Sequence, residues 1–204
     1  MIYFNRKFSE FIFLKQGIDF GIHMIRKAVG SLKKEIPTLT QFSSLSPIPG
    51  FAKWLDSQCR QQIENPASNS LLPSEIENIR MAAGLKTAEE SVLFIQKMST
   101  NRDWTRDQKL VASLKGPVTD LCVRYLRKAK RPSGHALDPV ANFHLRNGAV
   151  MWRVNWMADT SLNGMRQSLG LMVNYRYYLD ELEGHSRSYL LDCEINTGVK
   201  GSKL

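Results

Sequence analysis

The chain has 204 residues, 43 % hydrophobic and 23 % charged, which suits one domain or a large piece of one with a sizeable core. These ordinary values exclude a disordered, collagen-like or coiled-coil chain, and no apolar run approaches the ~20 residues that cross a bilayer. Lys and Arg number 28 against 19 Asp and Glu, and the resulting +9 favours an anionic partner: nucleic acid, acidic lipid or a phosphorylated small molecule.

Residues 2–14 are rich in Ile, Phe and Tyr, and a strand is expected near 8–14. Gly17 and Gly21 then bracket an expected tight loop. From Gly21 to about Lys34 the pattern turns helical: Ile22, Ile25, Val29 and Leu32 share one face, and Lys33 and Lys34 complement the dipole of the last turn. Pro37 stops this helix. A short strand is expected over 38–45, a turn at Pro47-Ile-Pro-Gly50, and a helix over 50–62 with Phe51, Trp54 and Leu55 inward. After a polar linker, residues 74–130 read as helix in pieces broken near Gly84, near Asn101 and near Gly116-Pro117. Two alternating strands close the chain, over 148–157 and 170–178; in the second, Leu171, Val173, Tyr175 and Tyr177 share a face. This order gives an α/β fold with mixed strand directions.

Four places carry chemistry. Residues Gln16 to Ile22, between an expected strand and helix, present backbone N–H groups as phosphate sites do, although the segment is neither a Walker A loop nor GxGxxG, and a purely structural turn fits too. Ser46, before a Pro-rich turn, presents a hydroxyl to a cleft or simply serves the turn. His144, one of four histidines, lies among apolar residues before a strand; it is a structural histidine or a proton carrier. The basic run Arg124 to Arg131 is a solvated helix end, a nucleic-acid contact or a site for a coenzyme phosphate. The three cysteines, Cys59, Cys122 and Cys193, are widely spaced and lack a CxxC, which fits free thiols in a reducing compartment, and no metal spacing is found. The last three residues, Ser202, Lys203 and Leu204, read as a peroxisomal import signal or as a chance tail; the signal implies the peroxisome matrix and its import receptor as a partner, with cytoplasmic or mitochondrial pools also open.

Three blocks resemble the malonyl-CoA decarboxylase family: Gln41-Phe-Ser-Ser-Leu-Ser-Pro-Ile-Pro-Gly-Phe-Ala-Lys-Trp-Leu55, Asp138 through Asp159 with its Asn-Phe-His and Trp-Arg-Val-Asn-Trp, and Gly170-Leu-Met-Val-Asn-Tyr-Arg-Tyr177. The resemblance runs from about Gln16 to Tyr189 and is loose over 60–130. It implies the second half of a GCN5-related acetyltransferase-like mixed sheet with a helical insertion. The corresponding segments are 1–65, an insertion over 66–135, closing strands over 136–190 and a tail over 191–204. It implies that Gln16, Gly17, Ile18, Asp19, Phe20, Gly21 and Ile22 contact the coenzyme A phosphates. It also implies that Ser46 and His144 are the catalytic serine and histidine, and that Tyr177 is an active-site tyrosine.

The implied reaction is decarboxylation of malonyl-CoA to acetyl-CoA and CO2. Loss of CO2 leaves an enolate on the thioester, which serves as the electron sink, so no cofactor or metal is expected. The chain departs from the family in carrying Asp19 where glutamate is usual, and it reads as an N-terminally truncated C-terminal part of the catalytic domain. A homo-oligomer is implied for the full-length family. The alternative is a non-catalytic remnant that binds coenzyme A or assembles with full-length subunits. A nucleic-acid-binding module lacks any recognition motif beside the charge, and an acyltransferase is allowed by fold alone.

Overall fold

The computed structural model describes residues 2–4 and 18–198, and these form two compact units. The first comprises Met1–Ser46, Ala129–Arg153 and Val173–Leu204; the second comprises Pro47–Lys128 and Val154–Met172.

The first unit is built on a mixed sheet. Strand β1 (Ile2–Phe4) runs parallel to β2 (Phe42–Ser44), with Tyr3 opposite Ser43. Helix α1 (Ile18–Glu35) connects them, giving a β–α–β unit. Strand β5 (Met172–Tyr177) pairs antiparallel with β2, with Phe42 opposite Tyr177 and Ser43 opposite Arg176. The two-residue β3 (Ser46–Pro47) and β4 (Val150–Asn155) also pair with β5. On β5 Val173, Tyr175 and Tyr177 are buried as expected, and Asn174, on the opposite face, is buried as well.

One expectation is corrected here. The expected loop is helix from Ile18 onward, because α1 starts there and not at Gly21. The apolar spacing explains this, since Ile18 lies one turn before Ile22 and continues the series through Ile25 and Val29. Gly21 is there for a close approach: a Cβ at this position would run into the Asn147 side chain. The strand expected near 8–14, Gln16, Gly17 and the terminal Ser202, Lys203 and Leu204 lie outside the described residues.

Helices α6 (Pro139–Arg146) and α8 (Leu182–Asp192) complete this unit, and the sequence pattern revealed neither. Proline occupies the first position of α6, and the Asp138 carboxylate accepts from the Val140 and Ala141 N–H groups at 3.0 and 2.9 Å. Helix α8 braces α6 at two points. The Tyr189 hydroxyl donates to Asn142 Oδ1 and accepts from the Ala136 N–H, both at 2.8 Å, and Ser186 Oγ donates to the Arg146 carbonyl at 2.6 Å.

The second unit is helical. It holds α2 (Phe51–Glu64), α3 (Pro73–Ala83), α4 (Ala88–Met98), α5 (Gln108–Lys128) and α7 (Leu162–Ser168). Helix α3 packs on α4 and α5, and α2 packs on α4. Leu55, Cys59, Leu71, Ile79, Ile95, Met98, Leu114 and Leu121 are each no more than 2 % exposed. The expected break at Gly84 is present as a left-handed cap at φ 64°, and α4 ends at Met98, just before Asn101.

The break expected at Gly116-Pro117 is absent, because α5 runs through it. Pro117 removes one backbone donor, but Leu114, Val118, Leu121, Cys122, Tyr125 and Leu126 form a buried stripe that holds the helix across it. Arg124, the first of the basic run, is a brace within this unit: it pairs with Glu75 at 2.6 Å, donates to the Ser70 carbonyl at 3.1 Å and lies 4.8 Å over the Trp54 ring. Among the described residues no helix is long and apolar enough to cross a membrane.

Candidate active site

Three of the expected site residues come together in the first unit. Ser46 follows β2 after a one-residue break at Leu45, so Ser44 and Ser46 point their side chains the same way. Their hydroxyls lie 2.8 Å apart. Ser46 Oγ is 2.9 Å from His144 Nε2, and His144 Nδ1 is 2.5 Å from the Tyr177 hydroxyl. The result is a continuous chain of hydrogen bonds, Ser44–Ser46–His144–Tyr177, in which every member is at most 8 % exposed.

The imidazole is held on several sides. Its ring stacks on Tyr175, with centroids 4.4 Å apart and planes 18° from parallel, and Phe143 meets it edge-on at 5.2 Å. Its own helix end is also fixed, since the His144 carbonyl accepts from the Asn147 and Ala149 N–H groups, both at 3.1 Å. Asn147 Nδ2 donates to the Phe143 carbonyl at 2.8 Å, and Gly21 leaves room for the same side chain. At Gly148, φ is 78° and a Cβ would meet the Leu182 backbone, so the turn from α6 into β4 requires glycine on both counts. Behind Ser44, Asn174 Nδ2 donates to the Ser44 carbonyl at 2.7 Å.

Burial sets the protonation of this chain. It pulls His144 from 6.5 down to about 3, because the charged imidazolium loses its water. It pushes the Tyr177 phenol well above its ordinary range for the same reason. The resting chain is therefore neutral at pH 7, with a phenol, an imidazole and two alcohols each carrying one transferable proton.

The remaining expected residues divide by position. Ile18, Asp19, Phe20, Gly21 and Ile22 are the opening residues of α1, whose early N–H groups have no partner within a helix. Ser44, Tyr175 and Asn147 were not singled out from the sequence. The first two had a legible signal: each stands two residues from an expected site residue in a strand, and so on the same face. Asn147 had none, because its role depends on Gly21, which is far away in the chain.

A mixed α/β sheet thus carries a buried acid–base chain with histidine at its centre. The malonyl-CoA decarboxylase C-terminal domain model matches residues 13–202, and the chain belongs to that family. Over 176 residues it is 48 % identical to the mitochondrial malonyl-CoA decarboxylase of Mus musculus, covering 86 % of this chain and 35 % of that protein. The mitochondrial malonyl-CoA decarboxylase of Anser anser anser is 43 % identical over 175 residues, covering 86 % of this chain and 34 % of that protein. The crystal structure of malonyl-CoA decarboxylase from Rhodopseudomonas palustris superposes with a TM-score of 0.68 at 37 % identity, covering 85 % of this chain and 35 % of that one. The corresponding structure from Cupriavidus metallidurans gives 0.63 at 33 % identity, covering 88 % and 42 %. The mixed α/β fold is thus that of malonyl-CoA decarboxylase structures, and the chain spans about a third of the length of the curated relatives it matches.

Proposed function

We propose that this chain carries the acid–base groups of a malonyl-CoA decarboxylase and converts malonyl-CoA to acetyl-CoA and CO2. The observation that supports this most is the Ser46–His144–Tyr177 chain, with spacings of 2.9 and 2.5 Å in a buried site. Family membership makes malonyl-CoA the natural substrate.

Decarboxylation needs a carboxylate aligned with the thioester π system, a donor at the developing enolate oxygen and a proton for carbon. Ser46 orients the malonyl group by hydrogen bonding. Its negative charge entering the buried site favours protonation of His144, against the burial that keeps the imidazole neutral at rest. When the C–C bond breaks, its electron pair moves into the enolate and CO2 leaves. The enolate carbon then takes the Ser46 hydroxyl proton, His144 Nε2–H restores it, and a neutral imidazole remains. Tyr177 donates to Nδ1 while the imidazole is neutral and accepts from Nδ1–H while it is protonated. The thioester serves as electron sink, so this route requires no cofactor.

An acetyltransferase-like entry for coenzyme A accords with the parallel β1–α1–β2 unit. In this reading the phosphates meet residues 16–22, where the opening N–H groups of α1 favour anions. A homo-oligomer is proposed by family. The terminal Ser202-Lys203-Leu204 supports peroxisomal import through its receptor, while the curated relatives carry "mitochondrial" in their names.

The test is CO2 release from malonyl-CoA by the 204-residue chain, with His144→Ala as control. Release by the parent and its loss in the variant support the reading. A parent that unfolds cooperatively yet releases no CO2 supports instead a non-catalytic remnant that binds coenzyme A or assembles with longer subunits.

A further inference from the structure

We infer that Ser44 is a positioning residue for the reaction: its hydroxyl sets the direction in which Ser46 presents its proton. The inference rests on the decarboxylase reading for its kinetic part only.

The argument is proton accounting along the chain. Four neutral groups share three hydrogen bonds: Ser44 to Ser46 at 2.8 Å, Ser46 to His144 Nε2 at 2.9 Å and His144 Nδ1 to Tyr177 at 2.5 Å. Three arrangements use all three bonds, and each leaves one hydroxyl proton outside the chain. In the first, Tyr177 donates to Nδ1, Nε2–H donates to Ser46, and Ser46 donates to Ser44. In the second, Ser44 donates to Ser46, Ser46 to Nε2, and Nδ1–H to the phenol oxygen. In the third, Tyr177 donates to Nδ1, and Ser46 accepts from both Nε2–H and Ser44.

Acidity excludes one of them. A phenol is a stronger donor than an alcohol and a poorer acceptor than an imidazole nitrogen. Among the described residues His144 is the hydrogen-bond partner of the Tyr177 hydroxyl, so the second arrangement would leave the best donor of the four without an acceptor in a buried site. The second is therefore excluded at rest, and the head-to-tail polarisation of successive donors favours the first over the third. His144 carries its proton on Nε2, and the Ser46 proton points at Ser44.

Ser44 is fixed for this purpose. Asn174 Nδ2 holds its carbonyl at 2.7 Å, the β2–β5 pairing sets its strand, and the residue is 5 % exposed. When an oxyanion lies beside Ser46, the serine end of the chain changes by two hydroxyl rotations. Ser46 turns its proton to the oxyanion, and Ser44 turns to donate to the lone pair that this frees. Ser46 Oγ then accepts from Nε2–H and from Ser44, and its own proton has one direction left. Ser44 stores the Ser46 proton at rest and aims it in the complex, without touching substrate.

The test uses the full chain and two readouts. In the absence of substrate, nitrogen-15 chemical shifts of the His144 ring report which nitrogen carries the proton. The expected result is an Nε2–H form in the parent and in Ser44→Thr, which keeps the hydroxyl. Ser44→Ala keeps the Nε2–H form as well, because Tyr177 still takes Nδ1 as its acceptor. With malonyl-CoA, Ser44→Ala lowers kcat about five- to tenfold, the weight of one hydrogen bond, leaves KM within about twofold, and Ser44→Thr recovers the loss. An Nδ1–H form in the parent overturns the inference, whatever the kinetics, and so does an unchanged kcat in Ser44→Ala in an active enzyme. An Nε2–H form in a parent that releases no CO2 upholds the resting arrangement and overturns the decarboxylase reading instead.

Discussion

The two units bury different things. In the helical unit, the buried polar side chains among the described residues are Ser91 and Ser168, each a helical serine whose hydroxyl donates to a carbonyl four residues back. In the sheet unit they are Ser43, Ser44, Ser46, Asp138, His144, Asn147, Asn174 and Ser186. A core that only has to hold together is best made of aliphatic side chains, since every buried polar group must recover its lost hydration through a partner. In the sheet unit Asp138, Asn147, Asn174 and Ser186 bond to backbone and brace it, while Ser44, Ser46 and His144 bond to one another in a line. Polar burial beyond the needs of folding therefore marks where chemistry belongs, and the helical unit supplies the reference for what folding alone requires.

The comparison breaks most sharply at His144. His144→Ala is expected to lower CO2 release by about 10²- to 10⁴-fold, the usual range for an acid–base group. Thermal unfolding of the variant should remain cooperative, and a chain that retains a tenth of its activity would remove histidine from the chemistry. The opposite case is Leu121→Ala in α5, which empties part of an aliphatic core where Leu121 is 1 % exposed. Denaturant titration should show a loss of about 2–5 kcal/mol, while the molecules still folded keep the parental kcat. Equal damage to kcat would mean that the two cores do not differ in role.

The pH dependence sharpens the contrast. The His144 pKa is lowered by folding, so the unfolded chain binds its proton more readily, and stability rises with pH wherever the unfolded state holds more protons. The window runs from about 3, the folded value, to 6.5, the ordinary one. The contribution is complete above that window and is lost as the pH falls through it, at about 1.4 kcal/mol per pH unit for this one group. Urea titrations at pH 7 and pH 5 should reveal this slope, and in His144→Phe the slope should be smaller by that amount. No change in slope would mean the imidazole is not held neutral. The smallest effect concerns thiols. Cys59, fully buried in the helical unit, has its thiol pushed up to about 12 by burial and by Asp56. Cys193 is half-buried. A thiol reagent at pH 8 should label Cys193 first and leave Cys59 unmodified until the chain unfolds.

Much of this contrast was legible in the sequence, and the rest failed for identifiable reasons. The alternation through Val173, Tyr175 and Tyr177 gave β5 and its buried face, and the spacing of Ile22, Ile25 and Val29 gave the inner side of α1. The first turn of α1 was misread because Gly21 looks like a loop residue until Asn147 is seen filling the space of its missing Cβ. Pro117 looked like a break because the local rule is sound, but a stripe of buried residues on both sides outweighs one lost hydrogen bond. Helix α8 buries Leu182, Ser186 and Tyr189, a stripe too polar to register as an apolar periodicity. The Ser46–His144–Tyr177 association came from resemblance alone, because residues 98 and 33 positions apart cannot be paired by any local pattern.

Those separations have a consequence in time. Asn174 holds the Ser44 carbonyl across 130 residues of chain. At about 5–20 residues per second of synthesis, β2 therefore waits on the order of ten seconds for the strand that completes it. During that interval the β2 edge that β5 will cover is open to pairing with any other chain. The helical stretch from Phe51 to Lys128, whose contacts are closer in sequence, is made in between and can condense first. The order of manufacture thus places the chemistry last, in a protein whose stable aliphatic core is already assembled.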